Sequence, residues 1–376
     1  MSEYQYYEFQ TLDRPLSEAE RRELRALSTR AQITATSFTN HYDWGDFSGD
    51  PQQLVERCFD LHVYLTNWGT RRLIMRLPRR LIARARLNAF VHDMDWVAVW
   101  EKGENLIVDM YRDEVDMSCR DWDDGSGWLG ELAPLRAAVL AGDLRLFYVL
   151  WLTALEDGLL DADAREPLSG IGPLTSALEA AADFFDLDRD LLQAAAERDD
   201  GSSSRIAADV MRAVLAGLPD AEKTDLLMRV VDGDTHVAAE LIQGVREGYA
   251  AAPVEPRTAG ALAQRAAEIR DERERAEAAR RAAEQRRREE EAARARRKRL
   301  VALRGRGEAV WQEIETEIAR RNPPGYDHAA ALLFDLQAIA AEDGALPGFV
   351  YRLDAIRDRH ARKGRFLERL EGLGGG

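Results

Sequence analysis

The sequence predicts an α+β N-terminal domain followed by a mostly helical chain, made of a helical middle domain, one long charged helix and a small C-terminal helical module. Three observations carry that class. Short aromatic and β-branched runs punctuated by turn residues fill residues 1–115. Ala- and Leu-rich segments with helical spacing fill residues 116–250. From Thr258 to Leu303 about 46 residues without proline are built almost wholly from Ala, Arg and Glu, and as a helix they would span about 69 Å. The expected division is 1–115, 116–250, a linker at 251–257, the long helix at 258–303 and the module at 304–376.

Within the first domain, Tyr4 to Phe9 is β-prone, and Ser17 with Glu20 forms a capping box ahead of a helix over Glu18 to Ser28. Ile33 to Tyr42 alternates and reads as a second strand. Pro51 opens a helix whose apolar series Leu54, Val55, Cys58, Leu61, His62 and Leu65 carries it to Thr66, with Gly69 as its stop. Arg71 to Leu77 is a third strand, and a short helix follows Pro78. Trp96–Trp100 and Asn105–Tyr111 bracket a Gly-containing turn, the pattern of a hairpin.

From Trp128 to Gly248, turn signals at Asp157-Gly158, Gly170 to Pro173, Gly201 to Ser204, Pro219 and Asp232 to Asp234 separate about five or six helices. The apolar run Leu144 to Leu155 is shorter than the roughly 20 residues of a membrane span and reads as a buried core helix. Pro253 and Pro256 mark the linker.

The long helix has Glu and Asp four residues ahead of Arg at Asp271/Arg275, Glu277/Arg281, Glu284/Arg288 and Glu290/Arg294, each pair contributing about 0.2–0.5 kcal/mol. Its best coiled-coil seam runs Leu262, Ile269, Ala276, Ala283, Glu290, Arg297, so it turns from apolar to charged. A single exposed helix is the first reading, and a weak coiled coil or packed hairpin the second. The tail then offers a stripe of Val310, Trp311, Ile314 and Ile318, a turn at Asn322 to Gly325, and two helices over Tyr326 to Ala341 and Pro347 to His360.

Composition bounds the function. The chain has 376 residues, is 45% hydrophobic and carries a net charge of −15, which gives two or three cores and argues against a general polyanion binder. Two cysteines, Cys58 and Cys119, make neither a disulfide framework nor a Cys-rich zinc site, and suit a reducing interior. The start MSEYQYYEFQ lacks a secretory pattern, so a soluble cytoplasmic protein without a membrane span is expected.

The tail segments YDHAAALLFDLQAIAAEDG and FVYRLDAIRDRHARKGRFLERL resemble the helical end of bacterial proteins that also carry a SWIM zinc finger. The resemblance rests on Tyr326, Asp327, Ala330, Leu332, Leu333, Leu336, Phe349, Arg352, Leu353, His360, Lys363, Leu367, Arg369 and Leu370, about 45 residues in all. The finger's Cys-x-Cys and Cys-x-His pairs are missing from this chain, so the resemblance implies a bacterial context and a small accessory module, with no metal ligand. The N-terminal run from YYEF through NWGTRRLIMRLP is similar to uncharacterised bacterial proteins.

The densest cationic stretch is Arg71, Arg72, Arg76, Arg79, Arg80, Arg84 and Arg86, preceded by Trp68. Its guanidinium groups suit phosphate or carboxylate and Trp68 suits a stacked base; the plainer reading is an outward face paired with the chain's own acids. A second basic group, Arg296, Arg297, Lys298 and Arg299, closes the long helix. Arg57 and His62 have the Arg-x4-His spacing that resembles HEPN-type ribonucleases, against a partly buried His on an apolar face. Asp121, Asp123 and Asp124 miss calcium-loop spacing, since Ser126 and Leu132 stand where Gly and Glu belong. Asp232 and Asp234 resemble the paired aspartates of haloacid-dehalogenase-like phosphatases, but His236 replaces the expected Thr or Val and a capping turn is the plainer reading. The sequence therefore points to a non-catalytic scaffold or interaction protein of a bacterial multi-protein system, with a protein partner, no cofactor and no metal. Its alternative is a nucleic-acid-binding or RNA/DNA-processing subunit that uses the Arg-rich cluster.

Overall fold

The computed structural model describes residues 3–91, 94–113, 115, 124–199, 208–248 and 255–373. The chain forms two compact units, Met1–Arg273 and Glu274–Gly376.

The first unit is built on a seven-stranded antiparallel sheet. Its strands are β1 (Gln5–Gln10), β2 (Gln32–Ile33), β3 (Ser37–Tyr42), β4 (Leu61–Thr66), β5 (Arg71–Pro78), β6 (Val97–Lys102) and β7 (Asn105–Arg112), in the order β2-β3-β1-β4-β5-β7-β6. Helices α1 (Glu18–Leu27), α2 (Pro51–Arg57) and α3 (Arg84–Val91) interrupt them. The capping box forms as the sequence predicts: Ser17 Oγ accepts from Glu20 N at 3.2 Å, and Glu20 Oε2 accepts from Ser17 N at 2.7 Å.

Both faces of the sheet are covered. Leu61, Val63, Leu73, Met75, Leu77, Val108 and Met110 point into one core, while Phe9, Phe38, Ile74 and Ile107 join Leu24, Leu54 and Val55 of α1 and α2 in another. This corrects the helix expected from Pro51 to Thr66. The helix ends at Arg57, and Leu61–Thr66 is strand β4, paired with both β1 and β5. A strand buried on both faces shows no polar alternation, so its apolar positions merged with the helical series before it. The expected strand Ile33–Tyr42 is likewise two pieces, β2 and β3.

Helices α4 (Trp128–Leu140), α5 (Arg145–Glu156), α6 (Ser176–Phe184), α7 (Arg189–Ala196), α8 (Ala208–Gly217), α9 (Asp220–Val231) and α10 (Val237–Gly248) follow. Arg145 through Ala154 of α5 are all buried, as an all-round apolar helix should be. Helices α4 to α7 pack in the same core as β4, β5 and β7, so no boundary of packing falls at residue 115. No single described helix is long and apolar enough to cross a membrane.

Helix α11 (Ala259–Arg306) covers the predicted charged helix from its second residue on and runs three residues further. Its first turns are core: Ala259, Leu262, Ala266 and Ile269 are buried at helical spacing. The expected linker is pinned at its described end. The Arg257 guanidinium donates to Glu166 at 2.9 Å and to the carbonyls of Ala194 and Ala195, while Tyr148 Oη donates to Glu166 at 2.5 Å. Residues 251–254 lie outside the described residues. From Arg270 to Arg299 every residue except Glu277 is exposed. The expected pairs Glu277–Arg281 at 3.6 Å and Glu284–Arg288 at 2.7 Å form, with Arg287–Glu291 at 3.0 Å beside them.

In the second unit the end of α11 is followed by α12 (Glu308–Ala319), α13 (Pro323–Glu342), α14 (Leu346–Arg359), α15 (Gly364–Leu367) and a 3-10 turn at Glu368–Leu370. Val310, Ile314, Ile318, Leu333, Leu353 and Phe366 form its core, to which α11 adds Leu300 and Leu303. Asn322 caps α13, accepting from Gly325 N at 2.8 Å, with Pro323 at the first helical position.

Candidate functional site

The Arg-rich cluster of the first unit does not form a patch. Alternation along β5 sends Arg71 to one face and Arg72 and Arg76 to the other, and nearly all its cations are already engaged. Arg72 binds Asp109 through two bonds, at 2.9 and 2.7 Å, and Arg76 binds buried Asp60 at 2.7 Å. Arg79 meets Glu101 at 2.8 Å, Arg80 meets Asp234 and Glu240 at 2.7 Å each, and Arg86 meets Glu247 at 3.3 Å. Arg71 is fully buried, donates to the Thr66 and Thr70 carbonyls, and lies 5.9 Å from the Phe184 ring. Arg84, on α3, and Trp68, in the β4–β5 turn, are exposed. The cluster is therefore mainly structural.

Arg57 and His62 are not brought together. Arg57 ends α2 in an exposed pair with Glu23 at 2.7 Å. His62 is fully buried on β4, stacked on Phe9 at 3.9 Å between ring centroids, with Nδ1 3.0 Å from the Glu8 carbonyl. Burial, with the Arg72 charge added, pushes its pKa down to about 3, so it is a neutral core histidine. Asp121, Asp123 and Cys119 lie outside the described residues. Asp234 accepts from His236 N at 3.0 Å in the turn between α9 and α10. Among the described residues no group of three His, Cys, Asp or Glu is placed to hold a metal.

The second unit carries the remaining candidate. Helix α13 has two apolar stripes. Tyr326, Ala329, Ala330 and Leu333 face the core; Phe334, Gln337, Ala338 and Ala341, at the same i, i+3, i+4, i+7 spacing, line an open cleft of about 810 Å³. Leu346, Val350 and Tyr351 of α14 form its other wall, and Tyr351 is 79% exposed. At Arg296 and Ala338 this cleft joins a second of about 700 Å³, lined along α11 by Arg297, Leu300, Val301 and Arg304.

The charges around the groove are uneven. Arg299 pairs with Asp335, and Arg304 with Asp343 at 2.8 Å. Arg296, Arg297 and Lys298 are exposed and have no ion pair among the described residues. The basic group at the end of the long helix, singled out in the sequence, thus borders an apolar channel. Phe334, Leu346, Val350 and Tyr351 were not singled out; the available signal was a helix, α13, apolar on more sides than one core requires. Comparison with protein-family models, curated proteins and solved structures gives no match.

Proposed function

We propose that the chain is a non-catalytic interaction protein, a cytoplasmic component of a bacterial multi-protein system, whose C-terminal unit docks an acidic amphipathic segment of a partner protein. The groove carries this reading: aromatic and aliphatic side chains left open to water beside Arg296 and Arg297, which have no ion pair among the described residues. Its floor suits the apolar face of a helix, and Arg296 and Arg297 suit that helix's acidic flank. The bacterial setting rests on the resemblance of the tail, and the cytoplasm on Cys58, a free buried thiol. The nucleic-acid alternative loses support where Arg72, Arg76, Arg79 and Arg80 are spent on the chain's own acids.

The test is fluorescence anisotropy of the full chain with a labelled helical peptide of Leu and Glu. Binding should weaken about tenfold in Tyr351→Lys. That variant adds positive charge, so bulk attraction alone would tighten binding. Unchanged or tighter binding in Tyr351→Lys overturns the reading. Single-stranded RNA binding that is lost in R296E/R297E/K298E but untouched by Tyr351→Lys replaces it with the nucleic-acid alternative.

A further inference from the structure

Helix α9 is turned inside out. Its sequence, DAEKTDLLMRVV, places Leu227 and Val231 one turn apart, with Met228 and Val230 on either side, an ordinary core-facing stripe. Yet no residue of α9 is buried; Leu227 is 67% and Val231 77% exposed, and Met228 and Val230 are more than half exposed. What α9 turns toward the fold is half-buried Leu226 and, one turn on, Arg229, whose guanidinium binds Asp234 at 2.8 Å and Glu240 at 2.6 Å. The same two carboxylates hold Arg80 of the β5–α3 connection. The helix is thus fastened by its charges and shows its apolar stripe to water, the reverse of what burial within this unit would select.

The charges that remain around the stripe are acidic. Asp225 and Asp232 are exposed along one edge of it, beside Met228. Lys223 is held by Asp220 at 3.4 Å and by the Ala216 carbonyl, and Arg229 is consumed internally. We infer that the apolar face of α9 docks a basic amphipathic helix of a partner protein, its Leu-type residues on Leu227 and Val231 and its Lys or Arg residues over Asp225 and Asp232. An acidic border of this kind also repels anionic lipid, which leaves a protein helix as the occupant. This surface lies in the first unit and does not depend on the groove of the second.

The experiment titrates the full chain with a labelled helical peptide of Leu and Lys, and with its twin in which Glu replaces Lys. The Lys peptide should bind, the Glu twin should not, and Val231→Asp should weaken binding about tenfold with an unchanged circular dichroism spectrum. Val231→Asp adds an acid, so diffuse attraction to this acidic chain predicts tighter binding instead. A second variant, D225K/D232K, leaves the stripe intact and should also weaken the Lys peptide. Equal binding of both peptides, or binding undiminished by Val231→Asp, overturns the inference. So does a dimer in mass photometry that Val231→Asp dissociates, since a second copy would then be the occupant.

Discussion

His236 Nε2 lies 3.0 Å from Asp13 Oδ1, joining the α9–α10 connection to the turn after β1 across 223 residues of sequence. Arg136 holds the same carboxylate from the other side, at 2.9 and 2.7 Å. Burial acts to raise the Asp13 pKa, but the hydrogen bonds from His236 and Arg136 outweigh it and hold this carboxyl well below the ordinary range. A carboxylate with a depressed folded pKa stabilises above its unfolded pKa, near 3.9, and that stability is lost as pH falls through the folded value. Asp13→Asn should therefore cost about 2 kcal/mol at pH 7. Urea titrations at pH 7 and pH 3 check this; the gap to the parent should narrow at the lower pH, and an undiminished gap would mean the charge is not its source.

His62 acts in a different window. Its pKa, near 6.5 when unfolded, falls to about 3 in the fold, so between those values the unfolded chain holds more protons and stability declines with falling pH. His62→Leu removes this titration. The urea midpoint of the variant should fall less between pH 6.5 and 4.5 than that of the parent, and parallel curves would show that His62 contributes nothing to the slope.

Arg76 and Arg84 should separate structural from idle cations. Arg76→Met removes the 2.7 Å partner of buried Asp60, which keeps Arg136 at 3.5 Å and the Leu12 and Asp13 amides, and should cost about 1.5–3 kcal/mol. Arg84→Ala, at an exposed helix start, should stay within about 0.5 kcal/mol. Thermal melts compare the two, and equal losses would show that the buried pair has no special weight.

Two neighbouring residues of α13 should divide stability from recognition. Leu333→Ala empties a fully buried site and should cost about 2–5 kcal/mol. Phe334→Ala, on the open stripe, should cost less than about 1 kcal/mol and yet weaken the Leu/Glu peptide. Melting and peptide titration on the same preparations show whether the losses fall as expected, and a Phe334→Ala protein that binds as the parent does would remove that residue from the groove.

Elements fixed by local signals were legible in the sequence: the capping box at Ser17, the hairpin of β6 and β7, the buried α5 and the proline-free α11. The end of α2 was not, because β4 takes cover from helices on both faces and its run shows no alternation. The arginine partners were beyond sequence reasoning for a different reason. Asp60 lies 16 residues from Arg76, Asp109 lies 37 from Arg72, and Glu240 lies 160 from Arg80, so only the fold reveals that these cations are engaged. The groove was half legible: Arg296 to Lys298 stood out as a basic run, whereas two apolar stripes on α13 cannot be assigned to inside and outside until α12 and α14 pack on one of them.

The two ends of the sheet differ in what they offer another chain. On one side β2 contributes two residues, too few unpaired amides to template an added strand. On the other, β6 is six residues long and carries Glu101 and Lys102, which pair with Arg79 and with Glu56 at 3.0 Å. At the β6 margin, strand addition, the usual route from a native sheet to an aggregate, meets a row of paired charges that should resist it while those ion pairs persist.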